Sequence, residues 1–172
     1  MNWRTVLLEI IGFCGLFTVM VFGMEKKDPA IQVHNYPPKI QEEHFKTHEK
    51  LDVKNRNIWM KLAAIIFFTV IFVILARLAG AKTFLDGFLF GVIIMASVGL
   101  YDTFVLDWIC FANMKMLRLP GTEHMDREYH EKWFHLKGIL WPGSLFGLIV
   151  GILLGSVIHF LAQSKGNSFN RP

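Results

Sequence analysis

Four long apolar runs constrain the fold of this 172-residue chain more than any other feature. A helix that crosses the hydrocarbon core of a bilayer needs roughly 20 mostly apolar residues, and each run is about that long. The runs are continuous rather than alternating, which is typical of membrane helices and not of barrel strands. The spans are predicted at residues 6–23, 58–78, 84–111 and 139–162.

The four spans leave little chain for a separate soluble domain, and 53% of all residues are hydrophobic. We therefore predict one integral membrane domain over residues 1–172. Its fold class is all-α, a polytopic membrane four-helix bundle. Short amphipathic helices are expected in the two longer loops, residues 24–57 and 112–138.

The positive charge is concentrated in these two loops. Together with Lys61 at the start of span two, the loops hold 13 of the 18 Lys and Arg residues. Because such residues stay on the cytoplasmic side, both main loops are predicted to be cytoplasmic and both termini extracytoplasmic. The predicted location is the plasma (inner) membrane, with several passes. The net charge of +4 comes from Lys and Arg residues that are concentrated in the loops between spans. We therefore predict the lipid bilayer as partner and no binding of nucleic acid.

Glycines recur along spans three and four. Those of span four lie four residues apart, and span three carries three more: Gly143, Gly147, Gly151 and Gly155, then Gly87, Gly91 and Gly99. In lipid, helices associate where small residues let their backbones approach closely. Two interpretations stay open. The glycines pack spans three and four within one chain, or they form a face between subunits of a homo-oligomer or larger membrane complex, where they can line a pore.

Five ionisable residues fall within the spans, where such groups are expensive and usually pair: Glu9, Asp86, Asp102, Asp107 and His159. Toward the outer side, one interpretation is a structural hydrogen bond between Glu9 and His159, with Arg77 reaching the interface. The other is a proton- or cation-handling site. On an α-helix, Asp102 and Asp107 would lie about 140° apart. They are therefore expected on different faces, each near a loop cation such as Lys61 or Arg118.

The loops hold six of the seven histidines. In the first loop, Pro38 is placed to begin a helix that runs to about Leu51, with His44 and His48 on one face. In the second loop, a helix is predicted from Thr122 to Gly138. One of its stripes is apolar and should place two aromatic rings at headgroup depth: Met125, Tyr129, Trp133 and Leu136.

A second stripe of the same predicted helix carries imidazoles and carboxylates: His124, Glu128, Glu131 and His135. Such groups can bind zinc, manganese or iron, and His44 and His48 can add ligands from the other loop. The alternative is an ordinary solvated helix face. A divalent metal is the only cofactor that the sequence suggests.

Two segments of the loops, NYPP at residues 35–38 and LPGTEHMDREYHEKWFHLKG at residues 119–138, carry a resemblance. They resemble a group of small four-span bacterial membrane proteins, of the Gram-positive type, to which no function is assigned. The resemblance implies a bacterial plasma membrane protein and no particular activity.

The sequence contains no glycine-rich phosphate loop and no Gly-x-Ser-x-Gly nucleophile motif. It favours a non-enzymatic integral membrane protein, either an accessory subunit or a small permeation or transport unit that packs through a glycine-striped helix. The alternative is a metal-dependent membrane enzyme that acts on a lipid-soluble substrate at the cytoplasmic face. No catalytic residue is assigned.

Overall fold

The computed structural model describes residues 1–27, 33–48 and 58–169, and this part of the chain contains helices and no strand. The α-helices are α1 (Trp3–Lys27), α2 (Pro38–His44), α3 (Ile58–Leu78), α4 (Phe84–Tyr101), α5 (Asp126–Tyr129), α6 (Lys132–Gly138) and α7 (Ser144–Phe169). Helix α4 continues as a π-helix, Asp102–Phe111, and a 3-10 turn follows at Lys115–Leu117.

The prediction of an all-helical membrane protein is confirmed. Three helical segments are long and apolar enough to cross a membrane, namely Trp3–Lys26, Phe84–Phe111 and the apolar part of Asp126–Ser164. The predicted second span coincides with α3, whose described apolar part is the shorter Ile65–Leu78. This set of helices is compatible with a helical membrane bundle.

The start of the fourth span differs from the prediction. Helix α7 begins at Ser144 and not at Ile139, because the backbone of Trp141 is extended, with φ −154° and ψ 122°. Trp141 precedes Pro142, and the proline ring clashes with a helical conformation of the residue before it. The helical turn Ile139–Gly143 is thus kinked.

The chain divides into two compact units, each built from separate stretches of sequence. Unit 1 comprises Met1–Gly12, Asn55–Val98 and Pro142–Pro172. Unit 2 comprises Phe13–Lys54 and Gly99–Trp141.

In unit 1, glycines of α4 and α7 meet backbone to backbone. A Cβ built on Gly91 would lie 2.8 Å from Cα of Gly151, and one built on Gly155 would lie 2.7 Å from the carbonyl oxygen of Phe84. Real Cβ atoms essentially never come so close, so only glycine fits here. Four of the seven glycines therefore meet within one chain, whereas a Cβ built on Gly99 would have no atom within 4 Å. We call this contact the glycine seam: Gly87, Gly91, Gly151 and Gly155.

A tight turn joins α3 to α4. Gly80 has φ +86°, in the left-handed region that favours glycine, and it follows the last residues of α3. The N–H of Ala81 donates to the carbonyl of Ala76 at 2.8 Å, which satisfies a carbonyl of the last helical turn. The N–H of Asn2 also reaches this turn and donates to the carbonyl of Ala79 at 2.6 Å. The start of the chain is thus fixed to the end of α3.

Unit 2 has a core built from the two loops. Its buried side chains are those of Val33, Tyr36, Ile40, Leu119 and Tyr129. The rings of Tyr36 and Tyr129 meet edge to face, with centroids 5.8 Å apart. We call this cluster the loop core.

The loop helices are shorter than predicted. Helix α2 begins at Pro38 as expected but ends at His44, and turns follow to residue 48. Leu51 lies outside the described residues. The single helix predicted from Thr122 to Gly138 is wrong, because α5 and α6 are separated at His130 and Glu131.

This break moves the two aromatic rings of the predicted apolar stripe apart. The side chain of Tyr129 is 5% exposed and belongs to the loop core, whereas that of Trp133 is 69% exposed. The two rings therefore do not share one exposed stripe, since Tyr129 packs inside the loop core. Its hydroxyl finds partners inside the loop core, and this decides its position.

Candidate functional site

Glu9 and His159, predicted as partners, occupy different environments. One carboxyl oxygen of Glu9 is buried and has no hydrogen-bond partner among the described residues. His159 is exposed, and its Nε2 lies 3.0 Å from the amide nitrogen of Gln163, one turn along α7. The guanidinium of Arg77 donates to the carbonyl of Ala81 at 3.4 Å. The predicted hydrogen bond between Glu9 and His159 is thus not formed.

Asp86 has a structural role at the start of α4. Its Oδ2 accepts hydrogen bonds from the backbone N–H groups of Lys82 and Thr83, each at 3.0 Å. In return, the hydroxyl of Thr83 accepts the N–H of Asp86 at 3.2 Å. This reciprocal arrangement is a capping box, which satisfies N–H groups that the first helical turn leaves open. The cap accounts for a carboxylate at this position without a cation.

Asp102 and Asp107 lie in the π-helix, and this changes the geometry that the sequence predicted. In a π-helix each N–H bonds to the carbonyl five residues earlier, so residues five apart come back to nearly the same side. The expectation that the two carboxylates face different ways, which assumed an α-helix, is therefore wrong. Asp102 lies near both Asp107 and His135.

Asp107 pairs with His135 rather than with a loop cation. Nδ1 of His135 lies 2.7 Å from Oδ2 of Asp107, and both side chains are largely buried. Since a carboxylate only accepts hydrogen bonds, Nδ1 carries the proton and Nε2 remains available. Arg118, an expected partner of Asp107, instead forms an ion pair with Asp126.

The predicted metal stripe is not assembled. Because the helix breaks, His124, Glu128, Glu131 and His135 do not follow one helical face. Within residues 1–27, 33–48 and 58–169, no three His, Cys, Asp or Glu side chains are grouped so that they could hold a metal ion. His44 and His48 also have local roles. Their rings stack at 4.3 Å, and Nδ1 of His44 donates to the carbonyl of Pro120 at 2.9 Å.

The loop core owes its order to buried hydrogen bonds. The hydroxyl of Tyr129 accepts the N–H of Leu119 at 2.9 Å and lies 2.6 Å from the hydroxyl of Thr122. The hydroxyl of Tyr36 donates to the carbonyl of Leu117 at 2.8 Å. Burial, with the nearby Glu25 carboxylate, raises the pKa of Tyr36 well above its ordinary value. Tyr36 therefore remains a neutral donor that holds the second loop.

A small recess of about 10 Å³ opens beside this core, and we call it the inner recess. Its side chains come from the π-helix and from the α5–α6 junction, and those that carry polar groups are Trp108, Tyr129, His130, Glu131, Lys132 and His135. Nδ1 of His130 donates to the carbonyl of Asp126 at 2.7 Å. Like His135, it therefore has its Nε2 available.

Trp108 is the unusual member of the inner recess. Its indole N–H is buried and has no acceptor among the described residues. A buried donor left without a partner costs about 1–3 kcal/mol, so such a group calls for an explanation. The ammonium of Lys132 lies 5.1 Å from the centroid of the Trp108 ring. The sequence did not predict either residue as part of a site, because no α-helical pattern brings them together.

Comparisons with protein-family models, with curated proteins and with solved structures found no match to this chain.

Proposed function

We propose that the chain is a non-enzymatic accessory subunit that binds another membrane helix through α1. The observation that carries this proposal is the difference between its glycines. A Cβ at Gly87, Gly91, Gly151 or Gly155 would strike backbone, whereas one at Gly12 or Gly15 of α1 would have no atom within 4 Å. Three helical segments are long and apolar enough to cross a membrane, which is compatible with an integral membrane protein.

The open glycines lie on one face of α1. At 100° per residue, Leu8, Gly12, Gly15 and Val19 fall within about 60° of one another. Leu8 is 69% and Val19 71% exposed, so large apolar side chains flank the two glycines. A glycine within a helix costs about 1 kcal/mol relative to alanine. Close approach of a second helix offsets this cost, because association in lipid depends on small residues.

The other two functions have less support. A permeation unit needs Glu9, Asp86 and His159 to act together, but Asp86 caps α4 and His159 bonds within α7. A metal-dependent enzyme needs ligands that converge, and the described histidines are engaged separately.

The location is part of the same proposal. We propose the plasma membrane, with both termini outside and both main loops in the cytoplasm, on the charge asymmetry of the loops. The resemblance to small four-span bacterial membrane proteins agrees with that location. Alkaline phosphatase fused after the last residue should be active, since the enzyme folds only outside the cytoplasm. An inactive fusion at normal protein levels would contradict this orientation.

A photo-crosslinking experiment tests the partner helix. A photoreactive residue at Leu8 or Val19 should yield a product of defined mass in native membranes, and one at Ile152 of α7 should not. Ile152 is a suitable control because it is also exposed, at 52%. Replacing Gly12 and Gly15 by leucine should abolish the product. The same replacement at Gly99, whose Cβ position is also open, should leave it unchanged.

Crosslinks at Leu8 that persist after both glycine replacements would contradict the role of the glycines. Equal crosslinking from α1 and α7 would contradict the accessory function itself, since it would show random encounters in the membrane. The mass of the product distinguishes a second copy of this chain from a different subunit.

A further inference from the structure

Helix α6 contacts the π-helix through the face that carries His135. Nδ1 of His135 lies 2.7 Å from Oδ2 of Asp107, and both side chains are largely buried. At 100° per residue, Trp133 and Lys137 lie about 160° from His135 around the helix and about 40° from each other. The contact with the π-helix therefore turns Trp133 and Lys137 away from it. We call these two residues the α6 face.

The α6 face combines an aromatic ring with a positive charge. Trp133 and Lys137 are both exposed. Leu140 and Trp141, which follow α6, are large apolar residues that are also exposed. The sequence contains no Asp or Glu after Glu131, so no carboxylate in or after α6 offsets the charge of Lys137.

The contact with Asp107 is expected to place the α6 face among lipid headgroups. The apolar helix Phe84–Phe111 has 28 residues, which is long enough to reach through the headgroup regions as well as the hydrocarbon core. Asp107 precedes the end of this helix by four residues, which is at most about 6 Å. The headgroup region is itself roughly 5–8 Å thick on each side. Tryptophan is enriched at this depth, in agreement with an exposed Trp133.

We propose that the α6 face binds anionic phospholipids at the membrane surface. The ring of Trp133 enters the boundary between headgroups and acyl chains, and the ammonium of Lys137 contacts the lipid phosphate. An anionic lipid is preferred to a zwitterionic one, because the ammonium of a zwitterionic headgroup cancels the charge of its phosphate. The inference rests on the proposed membrane location and not on the α1 partner helix, since neither residue lies on α1.

Quenching of tryptophan fluorescence by brominated lipids provides the test. The full-length protein is reconstituted in vesicles of phosphatidylcholine and phosphatidylglycerol at equal mole fractions, and either one or the other lipid carries bromine on its acyl chains. Bromine quenches the tryptophans that it contacts, and the part of the signal that Trp133→Phe removes belongs to Trp133. We expect phosphatidylglycerol to be preferred about five-fold at Trp133, the factor that one lysine near an anionic surface supplies.

Variants of two lysines locate the charge that is responsible. Lys137→Gln should abolish the preference, and Lys137→Arg should keep it because arginine retains the positive charge. Lys46→Gln is the matched control. It removes the same net charge from another exposed lysine, whose ammonium pairs with Glu43 at 2.6 Å, and it should leave the preference unchanged. An unchanged elution profile would show that each variant is folded.

Equal quenching of Trp133 by the two brominated lipids would overturn the proposal. So would a preference that survives in Lys137→Gln, or one that falls equally in Lys46→Gln, since the second result would reflect net charge alone. Quenching of the other tryptophans without that of Trp133 would overturn the proposal and leave the membrane location intact. Absence of quenching at every tryptophan would contradict the membrane location itself. The crosslinks from α1 report separately on the partner helix.

Discussion

The glycine seam of unit 1 and the loop core of unit 2 are held together in opposite ways. In the seam, the backbones of α4 and α7 touch and no hydrogen bond is needed. In the core, two tyrosine rings meet, and their hydroxyls bind the backbone of the second loop. The difference follows from the surroundings that the sequence predicts for each. Burial of apolar surface gains nothing between helices in lipid, so close approach is what stabilises a contact there.

A loop between spans is limited instead by its backbone hydrogen bonds. Its backbone N–H and C=O groups have no regular helix to satisfy them, and burial without a partner is expensive. Side chains satisfy some of these groups: the hydroxyl of Tyr129 accepts the N–H of Leu119, and Nδ1 of His44 donates to the carbonyl of Pro120. Long polar side chains thus substitute for secondary structure in the loop core. We therefore predict that added side-chain volume destabilises the glycine seam, and that the loss of a single hydrogen bond destabilises the loop core.

The largest effect is expected from adding a methyl group to the seam. In Gly91→Ala, the new Cβ would lie 2.8 Å from Cα of Gly151 and 3.0 Å from Cδ1 of Leu154, so α4 and α7 must move apart. Overpacking of this kind costs about 1–3 kcal/mol or more. The free energy of unfolding, measured by SDS titration in mild detergent, should fall by about 3 kcal/mol.

Gly99→Ala is the matched control for that substitution. Gly99 belongs to the same helix, but a Cβ there has no atom within 4 Å. Alanine is the better helix former, so stability should stay equal or rise by up to about 1 kcal/mol. If the two substitutions destabilise the protein equally, close backbone contact is not what holds α4 to α7.

A smaller effect is expected from removing one hydroxyl of the loop core. Tyr129→Phe keeps the ring but leaves the N–H of Leu119 buried without its acceptor at 2.9 Å. The loss of stability should be about 1–3 kcal/mol. Thr122→Val removes the other partner of the same hydroxyl, so the double variant should lose less than the sum of the two. Additive losses would show that the hydroxyls act independently.

Much of unit 1 could be predicted from the sequence, because its signals are periodic. An apolar run of 20 residues and a glycine at every fourth position are readable without tertiary contacts. They predict apolar helices and a role for glycines in packing, although α7 begins only at Ser144. Which glycine of α4 meets which glycine of α7 is shown only by the positions of the two backbones.

The inner recess could not be predicted in the same way. Trp108 and His135 are brought together by a π-helix and by a helix break at Glu131. Neither has a clear sequence signal, since an α-helical period of 3.6 places Asp102, Asp107 and the loop histidines elsewhere. The metal stripe of His124 and His135 was predicted on that period, and it fails at the break. The position of the inner recess therefore depends on tertiary contacts of the loop core.

The smallest effect is expected at Asp86, the ionisable residue of unit 1 that forms the capping box. Asp86→Ala removes the acceptor of two backbone N–H groups and should cost about 1 kcal/mol, as the loss of a helix cap does. Thr83→Ala removes the other half of the box and should cost a similar amount, with a double variant that loses less than the sum. SDS titration of the three variants measures this. If Asp86→Ala destabilises the protein far more than Thr83→Ala, then the carboxylate has a role beyond the cap. Asp86 would then return as a candidate for handling cations. The comparison predicts instead that polar groups in unit 1 serve helix ends, while those of unit 2 build its core.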